Sequence, residues 1–145
     1  MERRKFLKNC GWGCLSGSLL LALMESCNTS YPLVEGEIKD ADLVLPVSSF
    51  KDKKNAYKKY IVVYHEKLKY PICIYRFNEK QYGALLMRCT HQGAELQVMG
   101  DMLYCPAHGS EFDNKGAVKS GPADNNLRTF PVVISNNKFL NISLK

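Results

Sequence analysis

Two short segments, Cys89-Thr-His-Gln-Gly and Cys105-Pro-Ala-His-Gly-Ser, with thirteen residues between His91 and Cys105, constrain this 145-residue chain more than any other feature. Each supplies one thiolate and one imidazole. That donor set suits two neighbouring irons in unlike environments, one held by sulfur and one by nitrogen, and so suits electron transfer. A chain that uses all four must hold two loops side by side around one inorganic core. In extended backbone, residues two apart share a face, which predicts that Cys89 and His91 reach one cofactor together. Pro106 between Cys105 and His108 predicts a tight turn presenting both side chains inward. Gly93 and Gly109 follow the histidines, where positive φ and close backbone approach exclude a Cβ.

The pattern C-x-H, thirteen residues, C-x-x-H resembles the Rieske [2Fe-2S] family. The similarity is strongest over residues 87–123 and includes Gly121-Pro122-Ala123, which resembles the proline loop that covers the cluster in that family. The resemblance implies that Cys89 and Cys105 hold the inner iron, and that His91 and His108 hold the outer iron near the surface. It also implies that Ser110 donates a hydrogen bond to a bridging sulfide. In quinol-oxidising members two further cysteines form a disulfide across the loops; here those positions are Ala94 and Ala107, so packing and hydrogen bonds must brace the loops. Phe112 stands where high-potential members have a tyrosine that bonds a ligand sulfur, so one potential-raising donor is missing.

A structural zinc site is the competing reading of the quartet. Zinc knuckles usually pair cysteines as C-x2-4-C, and a mixed C-x-H half is unusual for them. The chain has three histidines and two fall in this pattern. His65, closing the strand-like run at 60–65, reads as a strand-end or surface residue.

The N-terminus reads as an address. Arg3-Arg4-Lys5-Phe6-Leu7-Lys8 resembles the twin-arginine export motif, and an apolar, Gly-punctuated stretch follows over 10–24. A cluster inserted in the cytosol requires export of a folded protein, which is what that route carries. The stretch is shorter than the roughly 20 residues of a comfortable transmembrane helix. Leu23-Met24-Glu25-Ser26-Cys27 resembles a bacterial lipobox with Cys27 as the acylated residue. The outcomes are a cleaved lipoprotein, an uncleaved anchor or simple secretion; either of the first two leaves the chain on the membrane. Of six cysteines, Cys10 and Cys14 lie in the signal, and Cys73 reads as a buried small hydrophobe. No structural disulfide is expected.

Removing the four basic and two acidic residues of 1–27 from totals of 20 and 14 leaves 16 and 12, a net charge of +4. Lys51, Lys53, Lys54, Lys58 and Lys59 cluster in one loop, read either as a steering patch for an acidic partner or anionic lipid, or as a solvated hairpin loop. Nothing resembles a nucleic-acid module. The domain plan is a signal at 1–27, a tether at 28–39 and a domain at 40–145, with the cluster-binding subdomain at about 87–123. Short β-rich runs are expected at 42–47, 60–65, 71–77, 82–88, 95–99, 102–105, 131–135 and 139–144, separated by turn signals. The expected fold is all-β, an antiparallel domain of stacked small sheets with an inserted cluster subdomain.

The expected function is that of a membrane-tethered, extracytoplasmic carrier of single electrons on the bacterial cell envelope. It would exchange electrons with a redox protein or membrane complex. The alternatives are an electron-transfer subunit of a quinol-oxidising, exported oxidase or oxygenase complex, and a non-redox zinc-binding module.

Overall fold

The computed structural model describes residues 32–145. Thirteen strands make up this part: β1 Leu33–Glu35, β2 Glu37–Lys39, β3 Asp42–Pro46, β4 Tyr60–Tyr64, β5 Ile72–Arg76, β6 Tyr82–Leu86, β7 Gln97–Met99, β8 Met102–Tyr104, β9 Glu111–Asp113, β10 Val118–Ser120, β11 Thr129–Phe130, β12 Val132–Ser135 and β13 Phe139–Ser143. They form three sheets, ordered β1-β4-β5-β6-β11, β10-β9-β8-β7 and β12-β13-β3-β2. All pairs are antiparallel except β1 with β4.

The five-stranded sheet lies in the middle because both of its faces are apolar. Successive side chains of a strand face opposite ways, and β4 and β5 are hydrophobic at consecutive positions. Ile61, Val63, Ile72, Ile74 and Ala84 pack with Leu43, Leu45, Phe50, Leu140 and Ile142 of the outer sheet and its connections. Val62, Cys73, Tyr75 and Leu85 turn the other way and pack with Leu103, Phe112, Cys89 and Cys105. A one-residue slip of either strand would exchange the two sets, so two cores fix the register more firmly than one.

Strands β7 to β10 all lie between β6 and β11, which pair directly through Phe130↔Ala84 and Thr129↔Leu85. The site-bearing sheet is therefore an insertion between two neighbouring strands of the central sheet. β6 runs straight into the first Cys–His segment, and β8 into the second.

Two expectations change. The part of the tether drawn at 28–39 that lies within the described residues is not a free linker: β1 pairs with β4 and β2 with β3. Val34 and Ile38 pack on the second core, and Gly36 sits where a Cβ would meet Leu43 Cδ1 and Val63 Cγ1 (2.9 Å). Alternation in Val-Glu-Gly-Glu-Ile carries the pairing, and Gly36 permits the close approach. The ordered domain thus includes residues before 40. β9, β10 and β11 were also not anticipated, being only two or three residues long.

Candidate metal centre

The two Cys–His segments fold into the same hydrogen-bonded loop. In the first, Cys89 N donates to Ala94 O (2.8 Å) and Gly93 N donates to Cys89 O (2.9 Å). In the second, Cys105 N donates to Ser110 O (2.8 Å) and Gly109 N donates to Cys105 O (2.9 Å). Each loop closes on its cysteine, with a glycine four residues on at φ of 77° and 81° respectively. At Gly93 a Cβ would also lie 3.2 Å from Arg88 Nε, a contact that the arginine side chain would have to relieve, so the positive φ is what calls for glycine. The extended geometry expected for Cys89-Thr-His is replaced by a turn, because closing the loop on Cys89 needs residues 90–92 to reverse direction. His91 occupies the third position of its loop and His108 the fourth.

The loops bring thiols inward and imidazoles outward. Cys89 and Cys105 are buried in one core cluster and neither is in a disulfide. His108 is exposed and His91 half-buried, and their rings meet edge-on with centroids 4.9 Å apart. His91 Nδ1 is itself buried and has no hydrogen-bonding partner. Such an atom costs about 1–3 kcal/mol unless something binds it; a metal bond to that nitrogen would satisfy it. Two sulfurs below and two imidazoles above match the chemistry of a binuclear iron–sulfur core, with two protein ligands per iron. Among the described residues no three His, Cys, Asp or Glu side chains gather as a single ion would need.

A third loop ties the other two together. Ser110 is fully buried; its Oγ accepts from Ala123 N at 3.0 Å, joining the second loop to Gly121-Pro122-Ala123. Thr90 Oγ1 donates to Asn125 O at 2.6 Å, joining the first loop to the same segment. Pro122, reached through a cis peptide from Gly121, is exposed beside these anchors. Leu127 N donates to Gly116 O (2.8 Å) and Val118 N to Asn126 Oδ1 (3.1 Å), fixing the far end of the segment. Ala94 packs on the core and Ala107 is exposed, so the bracing comes from this third loop.

Ser110 thus has an acceptor role that sequence reasoning did not assign, and Thr90 and Asn125 went unmarked. A threonine between two candidate ligands, facing a polar Asp-Asn-Asn run after the proline loop, was the available signal. Phe112 is fully buried in the same core as both cysteines. His65 accepts from Lys67 N at Nδ1 (3.1 Å) and serves a turn. Cys73 is buried, and burial pushes its thiol pKa far upward against a weaker hydrogen bond from Tyr75. Arg3, Arg4 and Cys27 lie outside the described residues.

This fold and donor set define a domain built to hold a two-iron centre at its surface. The family model of the Rieske [2Fe-2S] domain matches residues 42–131, and the chain belongs to that family. The domain binds a [2Fe-2S] cluster and its role is electron transfer. The chain is 39% identical over 57 residues to the ubiquinol-cytochrome c reductase iron-sulfur subunit of Rickettsia prowazekii, covering 37% of this chain and 32% of that protein. It is 37% identical over 73 residues to the oxygenase component of dicamba O-demethylase of Stenotrophomonas maltophilia, covering 43% and 22%. The match therefore spans a third or less of these curated relatives. A solved structure of the quaternary ammonium Rieske monooxygenase CntA shares the fold, with a TM-score of 0.55 and 17% identity over 72% of this chain and 32% of that one.

Proposed function

We propose that this chain is a membrane-tethered, extracytoplasmic carrier that passes one electron at a time between a redox donor and an acceptor. The observation that carries the reading is the pair of imidazoles at the surface above two buried thiols. Cys89 and Cys105 would hold the inner iron and His91 and His108 the outer. The bound cluster supplies the one-electron redox couple. The chain's own residues do the rest: the buried cysteines exclude water, the turn-closing amides fix each loop, and the third loop holds both. The exposed His108 ring gives a partner protein close access.

Tethering is supported by the sequence: Arg3 and Arg4 before the apolar stretch, and Cys27 at its end. The same features favour a bacterial cell-envelope location. A second reading makes the chain the electron-transfer subunit of a larger complex, quinol-oxidising or feeding an exported oxidase or oxygenase. The named relatives come from such systems, while Ala94, Ala107 and Phe112 count against the quinol-oxidising branch. The zinc-module reading is disfavoured by the mixed C-x-H half, since structural zinc usually pairs cysteines as C-x2-4-C.

The deciding experiment is an EPR spectrum of the dithionite-reduced full-length protein, followed by crosslinking to its membrane partner. A Rieske-type signal is expected; a colourless protein loaded with zinc would overturn the redox reading. Changing Arg3 and Arg4 to Lys should leave loaded precursor in the cytosol. Cys27→Ala should block acylation, and a wild-type protein without an acyl chain by mass spectrometry would refute the lipoprotein assignment.

A further inference from the structure

The end of the domain opposite the histidines carries a site that electron transfer does not use. Register places it. Arg76 pairs with Tyr82 at one end of the central sheet, whereas Ile72 pairs with Leu86 at the end that leads into Cys89. Tyr60 lies at the Arg76 end of β4, and Lys59 before it bonds Asp101 of the β7–β8 turn at 3.0 Å, so the inserted sheet is oriented the same way.

At that end a cavity of about 370 Å³ lies between Tyr57, Arg76, Lys80, Tyr82 and Asn137, with Glu79 also in its wall. Two of its polar atoms, Arg76 Nε and the Tyr82 hydroxyl, are buried and have no hydrogen-bonding partner. Both can donate, and Arg76 and Lys80 together outweigh the charge of Glu79. The Arg76 guanidinium stacks over the Tyr57 ring with its Cζ 4.0 Å from the centroid, which fixes its plane, and Lys51 Nζ lies 5.4 Å from the same centroid. An unused Nε–H on a fixed guanidinium beside an unpartnered tyrosine hydroxyl matches the oxygens of a phosphate.

The surroundings say where such a phosphate comes from. Tyr57 also borders two neighbouring surface hollows, one reaching Phe77 and Lys58, the other Phe139 and Lys138. Tyr57, Phe77 and Phe139 are among the exposed large hydrophobic residues. Exposed aromatics mixed with lysines are what a membrane interface selects. Chain geometry agrees: β1 runs parallel to β4, and Pro32 O accepts from Val62 N, so the chain enters the domain from the Tyr60 side.

We propose that the cavity around Arg76 and Tyr82 binds the phosphate of an anionic phospholipid headgroup, so that this end lies on the membrane and His91 and His108 face away from it. The membrane location rests on the tethered reading given above; the phosphate site does not. Lysines of the 51–59 loop then act as contacts to the lipid surface.

The test uses full-length, cluster-loaded protein. Inorganic phosphate is titrated while the Tyr82 and Asn137 amides are followed by NMR, far from the paramagnetic centre. Partition is then measured into phosphatidylglycerol-containing and pure phosphatidylcholine vesicles, and the ratio is compared between variants so that the contribution of the N-terminal segment cancels. Saturable shifts at Tyr82 and Asn137 are expected. Arg76→Gln should weaken phosphate binding and lower the vesicle ratio by about tenfold or more, with Arg76→Lys in between. Tyr82→Phe, which keeps the ring packed on Phe50, should weaken phosphate binding as well. Lys53→Ser and Lys54→Ser should each lower the ratio about fivefold without changing phosphate binding.

An unchanged EPR signal in every variant shows that the fold is intact. Phosphate shifts without a preference for phosphatidylglycerol would overturn the lipid source and uphold a site for free phosphate. Absent shifts, or shifts equal in Arg76→Gln, would overturn the site itself. An unacylated Cys27 with the vesicle ratio intact would refute the lipoprotein tether and leave the headgroup site standing.

Discussion

The Ser110 hydroxyl oxygen accepts the Ala123 amide at 3.0 Å inside a fully buried joint, while the Ser110 carbonyl accepts the Cys105 amide at 2.8 Å. One residue therefore closes the second Cys–His loop with its backbone and fastens the proline loop with its side chain. Because the Oγ accepts from Ala123, its own proton is left to donate, as the family resemblance requires.

Ser110→Ala should consequently have two effects. It strands the buried Ala123 amide, costing about 1–3 kcal/mol of stability. It also removes a donor that favours the reduced cluster, so the reduction potential should fall by roughly 20–65 mV, taking 0.5–1.5 kcal/mol per bond and 59 mV per tenfold change for one electron. Thermal melting followed in the visible band and protein-film voltammetry separate the two. Lost stability with an unchanged potential would leave Ser110 as a fastener only.

Thr90 makes the corresponding tie from the first loop, through a 2.6 Å bond to Asn125 O. Thr90→Val keeps the shape and loses the bond, so it should destabilise the centre by about 0.5–1.5 kcal/mol and speed amide exchange over 121–126. Thr90→Ser should restore both. Equal exchange in all three proteins would show that the proline loop is held by Ser110 alone.

Burial pushes the pKa of Cys73 far above the ordinary thiol value, and that of Tyr75 far above the ordinary phenol value, the Cys73 thiol adding to the latter. A group whose pKa is raised on folding contributes stability that is whole below its unfolded pKa and is lost as pH rises above it. Unfolded cysteine titrates near about 8.5 and tyrosine near about 10, so stability should decline from about pH 8.5 and more steeply above about pH 10. Cys73→Ala should remove the first part of the decline. Cys73 should also resist alkylation at pH 8 in the native protein and react on unfolding; mass spectrometry showing a modified Cys73 in folded protein would contradict its burial.

Much of this was written in the chain where local chemistry fixes local shape. The hydrophobic runs at Tyr60–Tyr64 and Ile72–Arg76 read as strands because β-branched residues and a double-sided core leave little else, and the glycines after each histidine announced their positive φ. The likeness of the two Cys–His loops was harder to see, because His91 and His108 sit at different loop positions; the common element is the cysteine-to-glycine spacing. Strands β1 and β2 were hidden because each is three residues long and gains its stability from partners distant in sequence. The Thr90–Asn125 tie spans 35 residues and has no local signature. The cavity at Arg76 and Tyr82 is assembled from the β5–β6 hairpin, the lysine loop and the β12–β13 turn, so no single stretch of sequence contains it.

Phe112 is fully exposed to the core and not at all to solvent, packed in the cluster of residues that contains Cys89 and Cys105. Its cross-strand partner is Leu103 of β8, the strand that leads into Cys105. A hydroxyl added to that ring enters an apolar core and must find an acceptor or remain unsatisfied, and the second case costs about 1–3 kcal/mol. If it meets a cluster sulfur, the bond stabilises the reduced state and Phe112→Tyr should raise the potential by roughly 20–65 mV. The wild-type potential should accordingly lie within the Rieske range of about −150 to +300 mV but below its upper end. Voltammetry and thermal melting of the two proteins discriminate. A raised potential with stability retained places the hydroxyl at the cluster, whereas lost stability at constant potential means that residue 112 shields the centre without bonding to it.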